Sequence, residues 1–341
     1  MTMEGLVKFL GILTIVLSIY YIVYVTYDRY KEKQFLESHE GFTSESITSE
    51  GSGEVQIKDS KESEKEDTHS WITDPQLFYD AFYVDIYDEL CNQKQRTKAK
   101  IAVLEKLWHN SSSPLQTWSV LDIGCGTGHA TTTLAKLGAG KVVGMDYSKA
   151  MLEYAEKVIE PAAELTKQQS QAIEWRSNTI INPSACAAGE FTHIICFYFT
   201  FYYIQDQEEF FRFMNLWAAP GGKLCVEVVN KYKFDPILES ASPFVAFSLQ
   251  KYSKERVTKS KVTFNNFEYE ANFELTDPEA EFFETFRFKN GHVRRQKHTF
   301  YMPTITQVVE YARRAGWKYV GYQDLQAVGF EYSYLLTFDK S

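Results

Sequence analysis

The stretch Val120-Leu121-Asp122-Ile123-Gly124-Cys125-Gly126-Thr127-Gly128 constrains this chain more than any other. Its apolar half reads as a buried strand, and the residues after it, around Ala130–Lys136, have helical spacing. Glycines between a strand and a helix let the backbone turn tightly and let a ligand approach closely. A dinucleotide-binding turn would put its third small residue at position 129, which is His129; the third glycine comes one residue earlier. Asp122 ends the strand two residues before the first glycine. A carboxylate there repels a pyrophosphate and attracts an ammonium group.

Strands and helices alternate around this segment. Strands are predicted at Ser119–Ile123, Lys141–Met145, Ala172–Arg176, Thr192–Phe197 and Lys223–Val229. Helices are predicted at Lys149–Ile159 and Gln207–Trp217, and two more, Phe78–Leu90 and Lys98–Trp108, precede the glycines. Alternation of this kind predicts a doubly wound, Rossmann-like α/β fold. Residues 231–301 break the pattern. Phe267, Tyr269, Ala271, Phe273 and Leu275 alternate with polar residues in a half-buried antiparallel strand over Asn266–Leu275. Asn290-Gly291 predicts a two-residue hairpin, which would set Glu284 opposite Lys297. A β-rich insertion is therefore expected on the α/β body, followed by a helix Thr304–Ala315 and closing strands Trp317–Tyr322 and Tyr332–Phe338.

The net charge of −9 is concentrated upstream of this body. Residues 37–70 hold ten acids against three lysines and almost no large apolar residue, so they read as part of an acidic, disordered linker over 28–70. Before it, Phe9–Tyr27 carries no charge, and residues 6–27 are expected to form one transmembrane helix with tyrosines at its C-terminal end. Arg29, Lys31 and Lys33 follow the span, which predicts a single-pass membrane protein with its catalytic domain in the cytosol. Asn110-Ser111-Ser112 is a glycosylation sequon that matters only in the opposite orientation. Five cysteines without C-x-x-C spacing, and histidines without close metal spacing, predict neither a disulfide framework nor a metal site.

A second acid, Asp146, closes Val142-Val143-Gly144-Met145-Asp146, placed to accept the hydroxyls of a ribose; Ser148 beside it is a good helix cap. Pro220-Gly221-Gly222 reads as a turn before the fifth strand. In this order the marks resemble the class I S-adenosylmethionine-dependent methyltransferases, over Trp71–Val229 and the closing elements. The resemblance implies a seven-stranded sheet over 71–341 and S-adenosylmethionine as cofactor. It implies that Asp122, Gly124, Gly126 and Gly128 lie under the methionine part, that Asp146 holds the ribose, and that Tyr147 lies near the adenine. Tyr87-Asp88 is similar to a Tyr-Asp pair that often precedes the donor site in that family. Two positions depart from the family pattern. Ser177-Asn178 stands where an acid often meets the adenine amine, a bond that the Asn178 carbonyl can accept; Phe191-Thr192-His193 replaces a Phe-Asp.

Methyl transfer needs an aligned nucleophile, and a base where that nucleophile must lose a proton. Phe197-Tyr198-Phe199-Thr200-Phe201-Tyr202-Tyr203 follows the fourth strand, at the sheet edge where substrates bind. Tyr198 and Tyr202 are the candidates for polar contact there, and His298 is the candidate base. The insertion resembles the substrate caps of small-molecule N-methyltransferases. It also carries bases, Lys251, Lys254, Arg256, Lys259 and Lys261, then Arg287, Lys289, Arg294, Arg295 and Lys297, with acids between them. These read as cross-strand charge pairs, or as a surface for an anionic partner. The chain is therefore expected to methylate a small-molecule or membrane-associated acceptor. The alternatives are a protein or RNA methyltransferase, or a tethered donor-binding scaffold without activity. Nucleic acid is the weaker candidate partner, since no Asn/Asp-Pro-Pro-aromatic tetrapeptide is present.

Overall fold

The computed structural model describes residues 71–108, 114–236, 258–264 and 266–341. Among them no helix is long and apolar enough to cross a membrane. The predicted span 6–27, the linker 28–70, the sequon, and Lys251, Lys254 and Arg256 lie outside the described residues.

Strands β1 (Ser119–Ile123), β2 (Lys141–Asp146), β3 (Ile173–Ser177), β4 (Phe191–Cys196) and β5 (Ala218–Val229) run parallel. Four more, β6 (Lys259–Thr263), β7 (Phe267–Leu275), β8 (Glu279–Phe288) and β9 (Val293–Tyr301), form a separate antiparallel sheet in that order. The chain then returns to the first sheet as β10 (Trp317–Asp324) and β11 (Ser333–Lys340), giving the order β10-β11-β5-β4-β1-β2-β3, with β11 antiparallel to both its neighbours.

The longer helices are α1 (Ala81–Cys91), α2 (Gln93–Trp108), α3 (His129–Leu137), α4 (Lys149–Tyr154), α5 (Gln207–Trp217) and α6 (Ile305–Arg314). Strand periodicity decides what each covers. Leu121 and Ile123 of β1 pack in one core with Phe211, Met214 and Trp217 of α5 and Val308 of α6. Val120 and Val142, one residue out of phase, pack in a second core with Leu104 and Trp108 of α2 and Leu134 of α3. Both faces of the central strands are thus buried, as parallel strands require. Each fully buried large apolar side chain contributes about 1.5–3 kcal/mol. The α1 and α2 helices, one expected at Phe78–Leu90, the other at Lys98–Trp108, are separated by Asn92 in a left-handed conformation.

Three local expectations are corrected. The β8–β9 loop has three residues, Lys289-Asn290-Gly291, because Phe288 N–H bonds His292 O and Gly291 takes φ +87°. The register moves by one residue, so Glu284 faces Gln296 and Lys297 faces Phe283. Glu284 thus meets Gln296 on the buried face that it shares with Ala280 and Phe286, and Lys297 pairs instead with Glu281 at 2.6 Å. Pro220-Gly221-Gly222 lies inside β5 at a shift of register against β4, not in a turn before it. The helix expected to run to Ile159 passes into a π turn at Ala155–Ile159.

Residues 71–80 bind the two sheets together. Ile72 adds a one-residue parallel bridge to β9, and Arg294 on β9 pairs with Asp80 at 2.6 Å and donates to Phe78 O at 2.8 Å. The second sheet packs its Phe267, Tyr269 and Phe286 against Tyr83 and Leu90 of α1.

Candidate active site

The glycine loop is shaped by its neighbours. Gly124, Gly126 and Gly128 have φ of +61°, +53° and +82°, where a side chain is strained. A Cβ on Gly124 would lie 2.3 Å from Thr200, and one on Gly128 2.5 Å from Trp175. The third glycine of the motif is thus required by Trp175 on β3. Asp88 of α1 holds the start of α3 by accepting from Thr127 Oγ1 at 2.5 Å and contacting His129 Nε2 at 2.8 Å.

Asp146 ends β2 beside this loop. Its Oδ2 accepts from Gly126 N–H and its Oδ1 from Ser148 N–H, each at 2.9 Å. These bonds leave acceptor capacity on the carboxylate that ribose hydroxyls can use. Burial raises its pKa, and the backbone donors oppose that rise. Tyr147 is partly exposed and donates to Pro75 O at 2.8 Å. Asp122 is 2% exposed and accepts from Thr131 Oγ1 at 2.7 Å; burial pushes its carboxyl up to about 7. The Asn178 carbonyl oxygen accepts from Thr179 N–H at 2.8 Å and Asn182 Nδ2 at 3.1 Å. Both its lone pairs are engaged, so the adenine bond expected of that oxygen competes with the chain's own turn.

Thr200 packs on Gly124 and also lines a cavity of ≈ 90 Å³. Its walls come from the leading segment and α1 (Tyr79, Tyr87), the loop after β4 (Tyr198, Tyr203) and the second sheet (Phe282, His298). Tyr198 holds φ +56°, with its N–H bonded to Glu227 Oε2 at 2.5 Å; Glu227 in turn pairs with Lys100 at 2.6 Å, both buried. Burial pushes the Cys91 thiol, bonded to Tyr198, up to about 12, so it is neutral. Tyr202 points away from the cavity: it is 1% exposed in the core and accepts from Val229 N–H at 2.7 Å. The turn Thr200–Tyr203 presents Tyr203 in its place.

Tyr203 leads into a chain of hydrogen bonds. Its Oη lies 2.9 Å from Tyr79 Oη and 2.6 Å from His298 Nδ1, and His298 Nε2 lies 2.6 Å from Glu284 Oε2. Glu284 is fully buried and also accepts from Tyr83, Tyr269 and Gln296. Burial alone would raise its pKa, but His298, Tyr269 and Gln296 outweigh burial and hold it below its usual value. Sequence reasoning singled out His298 and missed Tyr79, Tyr203 and Glu284. For Glu284 a signal existed, because it shares the strand phase of Ala280, Phe282 and Phe286. Among the described residues, no group of three His, Cys, Asp or Glu could hold a metal ion.

The loop, the second acid and the sheet order coincide with a known pattern: residues 120–222 match the family model of a methyltransferase domain. The likeness is to a methyltransferase domain. Around it, 119 residues are 27% identical to the mitochondrial ubiquinone biosynthesis O-methyltransferase of Dictyostelium discoideum, covering 35% of this chain and 37% of that protein. A stretch of 86 residues is 35% identical to the cypemycin N-terminal methyltransferase of a Streptomyces species, covering 25% and 32%. The chain thus spans less than half the length of the curated relatives it matches.

Solved structures extend the likeness beyond the methyltransferase domain. A S-adenosylmethionine-dependent methyltransferase from Clostridium acetobutylicum ATCC 824 superposes with a TM-score of 0.54 at 17% identity, covering 76% of this chain and 98% of that one. An amino pentose methyltransferase from Micromonospora echinaspora, solved with S-adenosylmethionine bound, gives 0.51 at 14%, covering 78% and 98%. The fold is the Rossmann-like one of the class I S-adenosylmethionine-dependent methyltransferases. The residues present fit that donor: the Asp146 carboxylate keeps acceptor capacity beside the loop, and the backbone at Gly126 is open, with Tyr87 the nearest neighbour at 3.7 Å from a built Cβ.

Proposed function

We propose that this chain is a S-adenosylmethionine-dependent methyltransferase that takes a small-molecule acceptor into the cavity beside Thr200. One observation carries this reading: Thr200 touches Gly124 of the donor loop and also lines the cavity, so the two sites share a wall. The donor supplies an electrophilic methyl group; the protein's part is to align an acceptor with it and to exclude water. Asp146 would hold the ribose and the glycine loop the methionine part. The relatives named as ubiquinone biosynthesis O-methyltransferases support a small-molecule acceptor here. The basic residues of the second sheet largely pair with acids, Lys261 with Glu268 and Glu270, Lys297 with Glu281, and Arg294 with Asp80, which weighs against an anionic polymer as substrate.

Calorimetric titration of the full chain with S-adenosylmethionine and with NAD tests the donor assignment. Binding of the first alone is expected, and a folded chain that binds neither refutes it. Asp146→Ala should weaken donor binding by about 1–3 kcal/mol, the value of a lost charge-assisted bond; unchanged affinity would remove Asp146 from that role. Label transfer from methyl-labelled donor to a panel of small molecules, peptides and RNA separates the acceptor classes, and the scaffold alternative predicts transfer to none. As part of the same reading, residues 6–27 tether the domain to a membrane, on its cytosolic side. Flotation with lipid vesicles is expected to carry the full chain upward, and a full chain left at the bottom argues against the tether.

A further inference from the structure

The chain Glu284–His298–Tyr203–Tyr79 does more than close the core. A carboxylate only accepts hydrogen bonds, so His298 Nε2, 2.6 Å from Glu284 Oε2, carries the proton. In the neutral ring Nδ1 is then bare, and it accepts from Tyr203 Oη at 2.6 Å. Tyr203 Oη accepts in turn from Tyr79 Oη at 2.9 Å. A buried carboxylate behind an imidazole, with the imidazole behind a hydroxyl, is the arrangement that draws a proton inward from a substrate. Burial raises the Tyr203 phenol well above its usual value, so Tyr203 relays a proton without standing as a phenolate.

The lining also limits the acceptor. Among the described residues around the cavity, Glu284 is the one acid, and it already accepts from Tyr83, Tyr269, Gln296 and His298. No lysine or arginine is among them. The surface offered is aromatic ring and tyrosine hydroxyl, which suits an uncharged molecule better than an ammonium needing a counter-charge.

We propose that Tyr203 accepts the proton of a phenol-type hydroxyl on a neutral acceptor while passing its own to His298, so that the reaction at this site is O-methylation. This rests on the methyltransfer reading above. The acceptor's O–H pair becomes the O–CH3 bond, the C–S pair returns to sulfur, and the proton ends on His298 Nδ1 opposite the Glu284 carboxylate. Tyr203 touches the acceptor; His298 and Glu284 act through it.

The test uses the full chain loaded with S-adenosylhomocysteine, and 4-nitrophenol as probe, because its phenolate absorbs visibly and no turnover is needed. The phenolate band is expected at a pH below the phenol's own midpoint in the wild type. It should be lost in Tyr203→Phe and His298→Gln while nucleoside affinity stays within about twofold. Tyr203→Phe keeps the ring in the core and carries the test if the histidine variant fails to fold. A wild type that binds nucleoside but gives no phenolate band, a band that survives Tyr203→Phe, or label passing to amines alone overturns the proposal and leaves the methyltransfer reading standing. Absence of nucleoside binding overturns both.

Discussion

Lys100→Met is expected to be among the costlier single changes in the described core, for a reason legible in two distances. Lys100 Nζ lies 2.6 Å from Glu227 Oε2, and the two side chains are 2% and 4% exposed. The same oxygen accepts Tyr198 N–H at 2.5 Å, so one carboxylate neutralises a cation and holds a residue at φ +56°. Methionine fills the lysine's volume but leaves the Glu227 charge buried and uncompensated. Loss of one partner of a buried pair costs about 3–5 kcal/mol. In a domain of this size that lowers the melting midpoint by on the order of 10 °C. Glu227→Gln alone strands the ammonium and should cost a similar amount. The double variant removes both charges, and its amide oxygen still accepts Tyr198 N–H, so most of the loss should return, to within about 1 kcal/mol of wild type. Urea unfolding of the four proteins measures the cycle. A single lysine variant costing under about 1 kcal/mol, or a double variant as unstable as the two singles added together, would refute the reasoning.

Gly124→Ala places a methyl 2.3 Å from Thr200 at φ +61°, so both donor affinity and stability should fall, the latter by about 2 kcal/mol, read by calorimetry and by melting. Asp122→Asn tests a pH effect. Burial lifts this carboxyl to about 7, so its folded state favours the proton. Its contribution is complete below the unfolded value near 3.9 and is lost as pH rises through about 7. The asparagine variant should therefore match wild type near pH 4 and exceed it above pH 7, by up to about 4 kcal/mol; a difference that does not grow with pH contradicts this. Arg294→Ala removes the pair with Asp80 and the bond to Phe78 O, and should raise amide exchange across residues 71–80 more than in β1.

The elements read most faithfully from sequence were those decided by burial alone. Ser119–Ile123 and Gln207–Trp217 have the predicted bounds, because apolar phase leaves a strand or helix of the parallel sheet little choice. The site was less legible where one residue of phase mattered. Asn290-Gly291 reads as the whole hairpin loop, and the added Lys289 moves every β8–β9 pairing by one residue, so Glu284 meets Gln296 and not Lys297. Tyr202 and Tyr203 are adjacent and chemically alike; only the turn Thr200–Tyr203 sets one in the core and the other against His298. Glu284, Tyr83, Tyr269 and Tyr79 meet from four segments, a coincidence that no local pattern encodes.

The one-residue bridge at Ile72 is small, yet it decides what the chain upstream can pull on. Ile72 is clamped to β9, Tyr79 O receives Ser148 Oγ at the edge of the donor cleft, and the Tyr79 ring lines the cavity against Tyr203. Tension applied at Trp71 is therefore delivered to β9, to the donor cleft and to the cavity wall within ten residues of chain, and a restraint on that segment is a restraint on the shape of the site.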